Sequence, residues 1–252
     1  PTFTFYLFVT ILLSTQLSTM RTFALAVTAT AVATTTAIDW RDSGCVGPVQ
    51  NQGQLGRSEL FPTVESVECV ASKQAGKAVK LSLQQVIDCS DNSGLFGSAF
   101  AYVEKYGLES ESHYPPTVRT SEKCKYDKND VVVEVTKVGG AVNGTLTEKD
   151  MEEALNTAPL VAAFNVGMPF QVYTSGVIKD CGVGGGHVME VVGTGSQINE
   201  ETKETEDYWI VKNSWGASWG LKGYALIAKD VGACGLKEAE FLIPEKVTVK
   251  RS

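Results

Sequence analysis

Histidine is scarce in this chain: 252 residues hold two, His113 and His187. Any chemistry that needs an imidazole titrating near neutrality therefore falls on one of them. His113 sits in the polar run Glu111-Ser112-His113-Tyr114, where a solvated role is expected, which leaves His187. Cationic excess is also missing. A net charge of -7 excludes the clustered lysines and arginines that a phosphate backbone requires, so nucleic acid is not an expected partner. No unit repeats at the periods of solenoids and propellers, and no low-complexity tract interrupts the chain. Residues 2 to 13 are apolar, but the run stops at Ser14-Thr15-Gln16, too short to cross a bilayer as a helix. No transmembrane span is expected.

What is present is an ordinary globular composition, 43% hydrophobic and 20% charged, with enough length for one large domain or two small ones. Met20-Arg21, the apolar stretch Phe23 to Val32 and the small residues Ala31-Val32-Ala33 form the pattern of a secretory signal peptide, so residues 1 to 37 are assigned to targeting. Secretion, or delivery to an endolysosomal compartment, is the expected localisation. Six cysteines in such a chain suggest disulfides, although six allow 15 pairings. Asn143-Gly144-Thr145 is a glycosylation acceptor. Leu60, Val64, Val67 and Ala71 recur at helical spacing, with Pro62 in the first turn and Gly76 near the end, which puts Ser58 at a helix N-terminus.

Three strings carry the chemistry. The first is Asn51-Gln52-Gly53-Gln54-Leu55-Gly56-Arg57-Ser58-Glu59-Leu60-Phe61, the second Gly184-Gly185-Gly186-His187-Val188, the third Tyr208 through Asn213-Ser214-Trp215-Gly216 to Gly220. Their order, with His187 and Asn213 about 130 and 155 residues after Ser58, resembles the papain family of cysteine peptidases, as do Asp39-Trp40-Arg41 and Asp88-Cys89-Ser90. The resemblance covers residues 38 to 252. It implies an α+β, papain-like fold of two halves around a central cleft. A helical half spans about 45 to 130, and a β-barrel-like half spans about 131 to 252 plus 38 to 44. It implies disulfides Cys89 to Cys124 and Cys181 to Cys234, and no metal or other cofactor. A third family bridge falls on Leu55 and Leu95, where paired apolar side chains are expected to fill the gap. Cys45 and Cys69 could pair with each other or stay as small buried hydrophobes, and the unpaired state is the one expected.

In the same resemblance Ser58 stands where the attacking cysteine belongs, His187 is its base, Asn213 orients the imidazole, Trp215 shields that bond, and Gln52 donates to the oxyanion. Gly97, Ser98, Phe100, Ala163, Gly186, Trp215 and Ala239 fall on the substrate-binding positions, and Phe100, Ala163, Gly186 and Ala239 are expected to line a small apolar pocket without a charged floor. A serine hydroxyl cannot be stored as an anion in a site built to ionise a thiol. Glu59, in place of an aromatic, sets a negative charge beside the oxyanion unless it turns to solvent or Arg57 neutralises it. No propeptide is expected between the targeting segment and Ile38-Asp39-Trp40. The expected function is thus a monomeric, proteolytically silent homologue that holds peptides or proteins in its cleft. The alternative is a weak Ser-His-Asn hydrolase or endopeptidase, as in silicateins, which also carry serine at this place.

Overall fold

A computed structural model describes residues 37 to 250 except 92 and 118 to 121, and the side chain at 238 is not described. The targeting segment assigned to residues 1 to 37 lies, but for Ala37, outside the described residues.

Three helices lead the chain. The first, α1 (Leu60–Ala75), buries Leu60, Val64, Val67 and Ala71 as their spacing requires, and stops at Gly76, whose φ of 64° suits a left-handed cap. Next, α2 (Leu83–Cys89) is started by Ser82, whose hydroxyl accepts the Gln85 N–H at 2.9 Å. The third, α3 (Ser98–Tyr106), ends at Gly107. Strands then dominate: β1 (Leu108–Glu109), β2 (Val131–Leu146), β3 (Leu160–Val166), β4 (Val177–Ile178), β5 (Gly185–Ile198), β6 (Thr205–Lys212), β7 (Tyr224–Ala228) and β8 (Ala239–Val249). Between them, α4 (Glu148–Leu155) begins with a Thr147/Asp150 capping box, and α5 (Met168–Gln171) is a single turn. The strands form one sheet in the order β1-β2-β8-β3-β5-β6-β7-β4.

Two hydrophobic cores flank this sheet. One gathers Leu60, Phe61, Val67, Phe100 and Val103 from the helices against Val133, Val188 and Leu242. The other gathers Phe164, Phe170, Val191, Trp209 and Phe241. The segment at Asp39 bridges to Gly193, and the Trp40 indole donates to the Leu155 carbonyl at 2.8 Å, fastening the chain start to the strand-rich side.

All six cysteines are paired. Cys89 joins Cys124 and Cys181 joins Cys234, as the resemblance implied. The expectation for Cys45 and Cys69 is corrected: they form a third bridge, with Cα atoms 4.6 Å apart. The loop after Trp40 lays Cys45 against the buried Cys69 face of α1, a separation well inside disulfide reach. Of the two leucines at the absent family bridge, Leu55 packs against the helical core, whereas Leu95 is 68% exposed. The expected repacking is therefore one-sided.

Candidate active site

The site is assembled from the approach to α1, from β5 and from the residues just past β6. Ser58 precedes α1 and is almost buried; its Oγ accepts the backbone N–H of Val188 at 3.0 Å. His187 lies one residue earlier on β5, opposite Phe164 of β3. Its Nε2 meets Asn213 Oδ1 at 2.8 Å. An amide oxygen only accepts, so the proton resides on Nε2 and Nδ1 is left with a lone pair. Asn213 Oδ1 also accepts the Ser214 N–H at 2.7 Å, which fixes the amide orientation. Burial pushes the His187 imidazole below its ordinary 6.5, and the bond to Asn213 offsets part of that fall. The ring is neutral at pH 7, able to take a proton but not stored as a cation.

Trp215 covers the pair, with its ring centroid 4.7 Å from that of His187, and is itself held by Phe170 and Trp219. Gln52 is fastened by its N–H to the Ser214 carbonyl at 2.7 Å, and its Oε1 accepts from the Ser214 hydroxyl. With the amide oxygen taken, the amide nitrogen is the end left to donate.

Glu59 does not turn to solvent. It is 4% exposed and its carboxylate lies 3.3 Å from Arg57 Nε. The same guanidinium reaches Ser90 Oγ at 2.9 Å and the carbonyls of Ile87 and Asp91 around the end of α2, where helix carbonyls favour a cation. Arg57 thus neutralises Glu59 and ties the Ser58 loop to α2.

A cavity of about 540 Å³ opens beside Ser58 and His187. Of the residues expected to contact substrate, Ala163 and Gly186 line it. Trp215 stands against the imidazole instead. Gly97, Ser98 and Phe100 line a neighbouring groove that shares Leu95 and Phe96 with this cavity, because Gly97 caps α3 and the next residues enter the helix. Leu95, Phe96 and Gly94 form the cavity wall in their stead. Ala239 is wholly buried in the strand-side core, and the next residue, Glu240, faces the cavity. The expected pocket without charge thus gives way to one with an acid in its wall. Strand alternation is the signal that would have found it. Asn143 and Gly144 also line the cavity, and Asn143 is exposed. His113 is exposed and bonded to Ser110, as a solvated residue should be.

A cluster that sequence reasoning missed lies on the strands that carry the site. Lys212, next to Asn213 in the chain and opposite Glu190 in the β5 to β6 pairing, is fully buried. Its Nζ is 3.0 Å from Glu65 of α1 and 3.5 Å from Glu190. One cation cannot neutralise two buried carboxylates, and burial pushes the Glu190 carboxyl up to about 8.

Comparison with known proteins accords with this geometry. Cysteine proteinase 3 of Dictyostelium discoideum is 37% identical over 212 residues, covering 79% of this chain and 60% of the relative. A cathepsin L-like proteinase of Phaedon cochleariae is 36% identical, covering 80% and 63%. The chain thus spans a little over three fifths of the length of these relatives. Among solved structures, the bromelain protease of Ananas comosus, in complex with the E64 inhibitor, superposes with a TM-score of 0.69 at 30% identity, covering 85% of this chain and 99% of that one. Procathepsin L 3 of Tenebrio molitor larval midgut gives 0.68 at 32%, covering 82% and 68%. The fold is papain-like. The family model for papain family cysteine proteases matches residues 34–243, and the chain belongs to that family.

Proposed function

We propose that this chain is a peptide-binding papain homologue without appreciable proteolysis, in which Ser58 takes the place of the family's attacking cysteine. The observation that carries the reading is the pairing of Ser58 Oγ with the Val188 N–H at 3.0 Å beside a neutral His187. A thiolate in that position would favour an imidazolium; a hydroxyl offers the ring no charge, and burial alone sets its protonation. The hydroxyl must instead lose its proton during attack, from a position fixed by a backbone donor. Carbon-oxygen bonds are shorter than carbon-sulfur bonds, and misplacement of about 1 Å lowers rate on the order of a hundredfold. Gln52, Asn213 and Trp215 retain their family roles, so the cleft still receives an extended backbone.

The test has two parts. Peptides should bind to the wild-type cleft, measured by fluorescence anisotropy, and a serine-directed fluorophosphonate should leave Ser58 unlabelled. Rapid labelling that Ser58→Ala and His187→Ala both abolish would overturn the silent reading. One observation favours that second reading, a weak hydrolase: Nε2 of His187 is pinned by Asn213, leaving Nδ1 as a free general base.

The setting follows the same reading. Three disulfides suit an oxidising, secreted or endolysosomal destination for a monomer. Among the described residues no helix is long and apolar enough to cross a membrane. Element order, with α1 to α3 before residue 130 and strands dominating after it, suits a helical half up to about residue 130 and a strand-rich half after it.

A further inference from the structure

The walls of the Ser58 cavity carry two carboxylates, Glu59 and Glu240, and no lysine or arginine. Glu59 is answered by Arg57. Glu240 is different. It is the second residue of β8, between Ala239 and Phe241, both of which point into the strand-side core, so pleating turns Glu240 to the opposite face and into the cavity. It is half-buried, and among the described residues no ion pair or hydrogen bond holds its carboxylate. With His187 uncharged at neutral pH, the cavity keeps one negative charge that the protein does not balance.

Shape accompanies charge. A side-chain carbon built on Gly186 in the same wall would meet nothing within 4 Å, so space is open there. Ala163 keeps another stretch of wall small. Leu95, 68% exposed, and Phe96 supply apolar surface at the rim. An apolar stem ending in a cation satisfies both features, and lysine and arginine are the side chains built that way.

We propose that the cleft selects peptides carrying a lysine or arginine whose side chain lies along Leu95 and Phe96 and whose charged head pairs with Glu240. This rests on the reading that the cleft binds peptides. A carboxylate held part-way out of water and lacking an internal partner gains most from an incoming cation, and arginine can engage it through two parallel donors. Glutamate at the same peptide position is rejected, since two like charges would share the cavity.

The experiment uses fluorescein-labelled hexapeptides that carry arginine, lysine, norleucine or glutamate at each position in turn, with affinity read by anisotropy. At one position, arginine and lysine peptides are expected to bind about tenfold tighter than norleucine, the effect of a single charge-assisted contact. Glu240→Gln should bring the arginine peptide down to its norleucine counterpart, and Glu240→Lys should reverse the preference toward glutamate. Circular dichroism and thermal melts establish that both variants are folded. Equal binding of arginine and norleucine peptides at every position, or a preference that survives Glu240→Gln, overturns the inference and leaves peptide binding standing. Absence of binding by every peptide overturns peptide binding itself, and this selectivity with it.

Discussion

Raising the pH from 6.5 to 8 perturbs the buried Glu65, Lys212 and Glu190 cluster. In the folded chain the Glu190 carboxyl keeps its proton up to about 8, because burial opposes its charge and Lys212 is shared with Glu65. In the unfolded chain it ionises near 4.5. Folding therefore takes up a proton between those values, and the native state loses stability as pH rises through them. At about 1.4 kcal/mol per pH unit, the step from 6.5 to 8 removes about 2 kcal/mol. Glu68, which faces the same cluster and is raised by the same burial, acts in the same sense. His187 acts oppositely, since its folded value is lowered; most of its effect falls below its ordinary 6.5, and the remainder is common to wild type and Glu190→Gln. Tyr224 also faces the cluster, and burial raises its phenol above the ordinary 10, so it stays neutral throughout this window. Urea unfolding at pH 6.5 and 8, on wild type and Glu190→Gln, isolates the effect: glutamine has no proton to lose, so the variant should lack about 2 kcal/mol of the wild-type decline. An identical decline in both proteins, or a wild type that gains stability toward pH 8, refutes the reasoning.

Three further outcomes are expected. Ser58→Cys alone should raise cleavage of fluorogenic dipeptides by about two orders of magnitude, because Glu59 is already neutralised by Arg57; no gain, even with Glu59→Trp added, would show a remodelled cleft. Replacing Cys45 and Cys69 by serine should lower unfolding free energy by about 3 kcal/mol, and thiol titration of the unfolded wild type should find no free sulfhydryl. Arg57→Ala strands the buried Glu59 carboxylate and should destabilise by about 3 kcal/mol or more, with Glu59→Gln on the same background recovering part of the loss in chemical denaturation.

Much of the scaffold could be read from residue order. The spacing of Leu60, Val64, Val67 and Ala71 gave α1 and its buried face, and the His187 and Asn213 strings gave a pair that meets at 2.8 Å. What escaped depends on relations between distant segments. The Cys45 to Cys69 bridge follows from how the loop after Trp40 lies over α1, which no spacing rule encodes. The cavity acid was displaced by one residue: alignment through a loop chose Ala239, and in a strand a slip of one exchanges core for cleft. Glu190 was visible as an acid inside the apolar run Val188-Met189-Glu190-Val191-Val192, but its meaning needed Glu65 from α1 and Lys212 from β6.

The acids near the cleft also differ in a way that separates structure from ligand. A carboxylate kept for the fold alone has to be answered inside the protein, since an unpaired buried charge is costly. Glu59 has Arg57, and Glu65 and Glu190 share Lys212 and give up a proton's worth of charge between them. Glu240 has neither device and lies against open volume. Its charge stays in reach of water when the cleft is empty, and on the proposed reading that hydration is what a docking peptide would displace. A neutral side chain would remove the water and leave the carboxylate unanswered, at about 1 to 3 kcal/mol for a polar group and more for a charged one. A lysine or arginine would replace the water with a counter-charge, so under the proposed selectivity discrimination at this wall would come as much from excluding neutral peptides as from attracting basic ones.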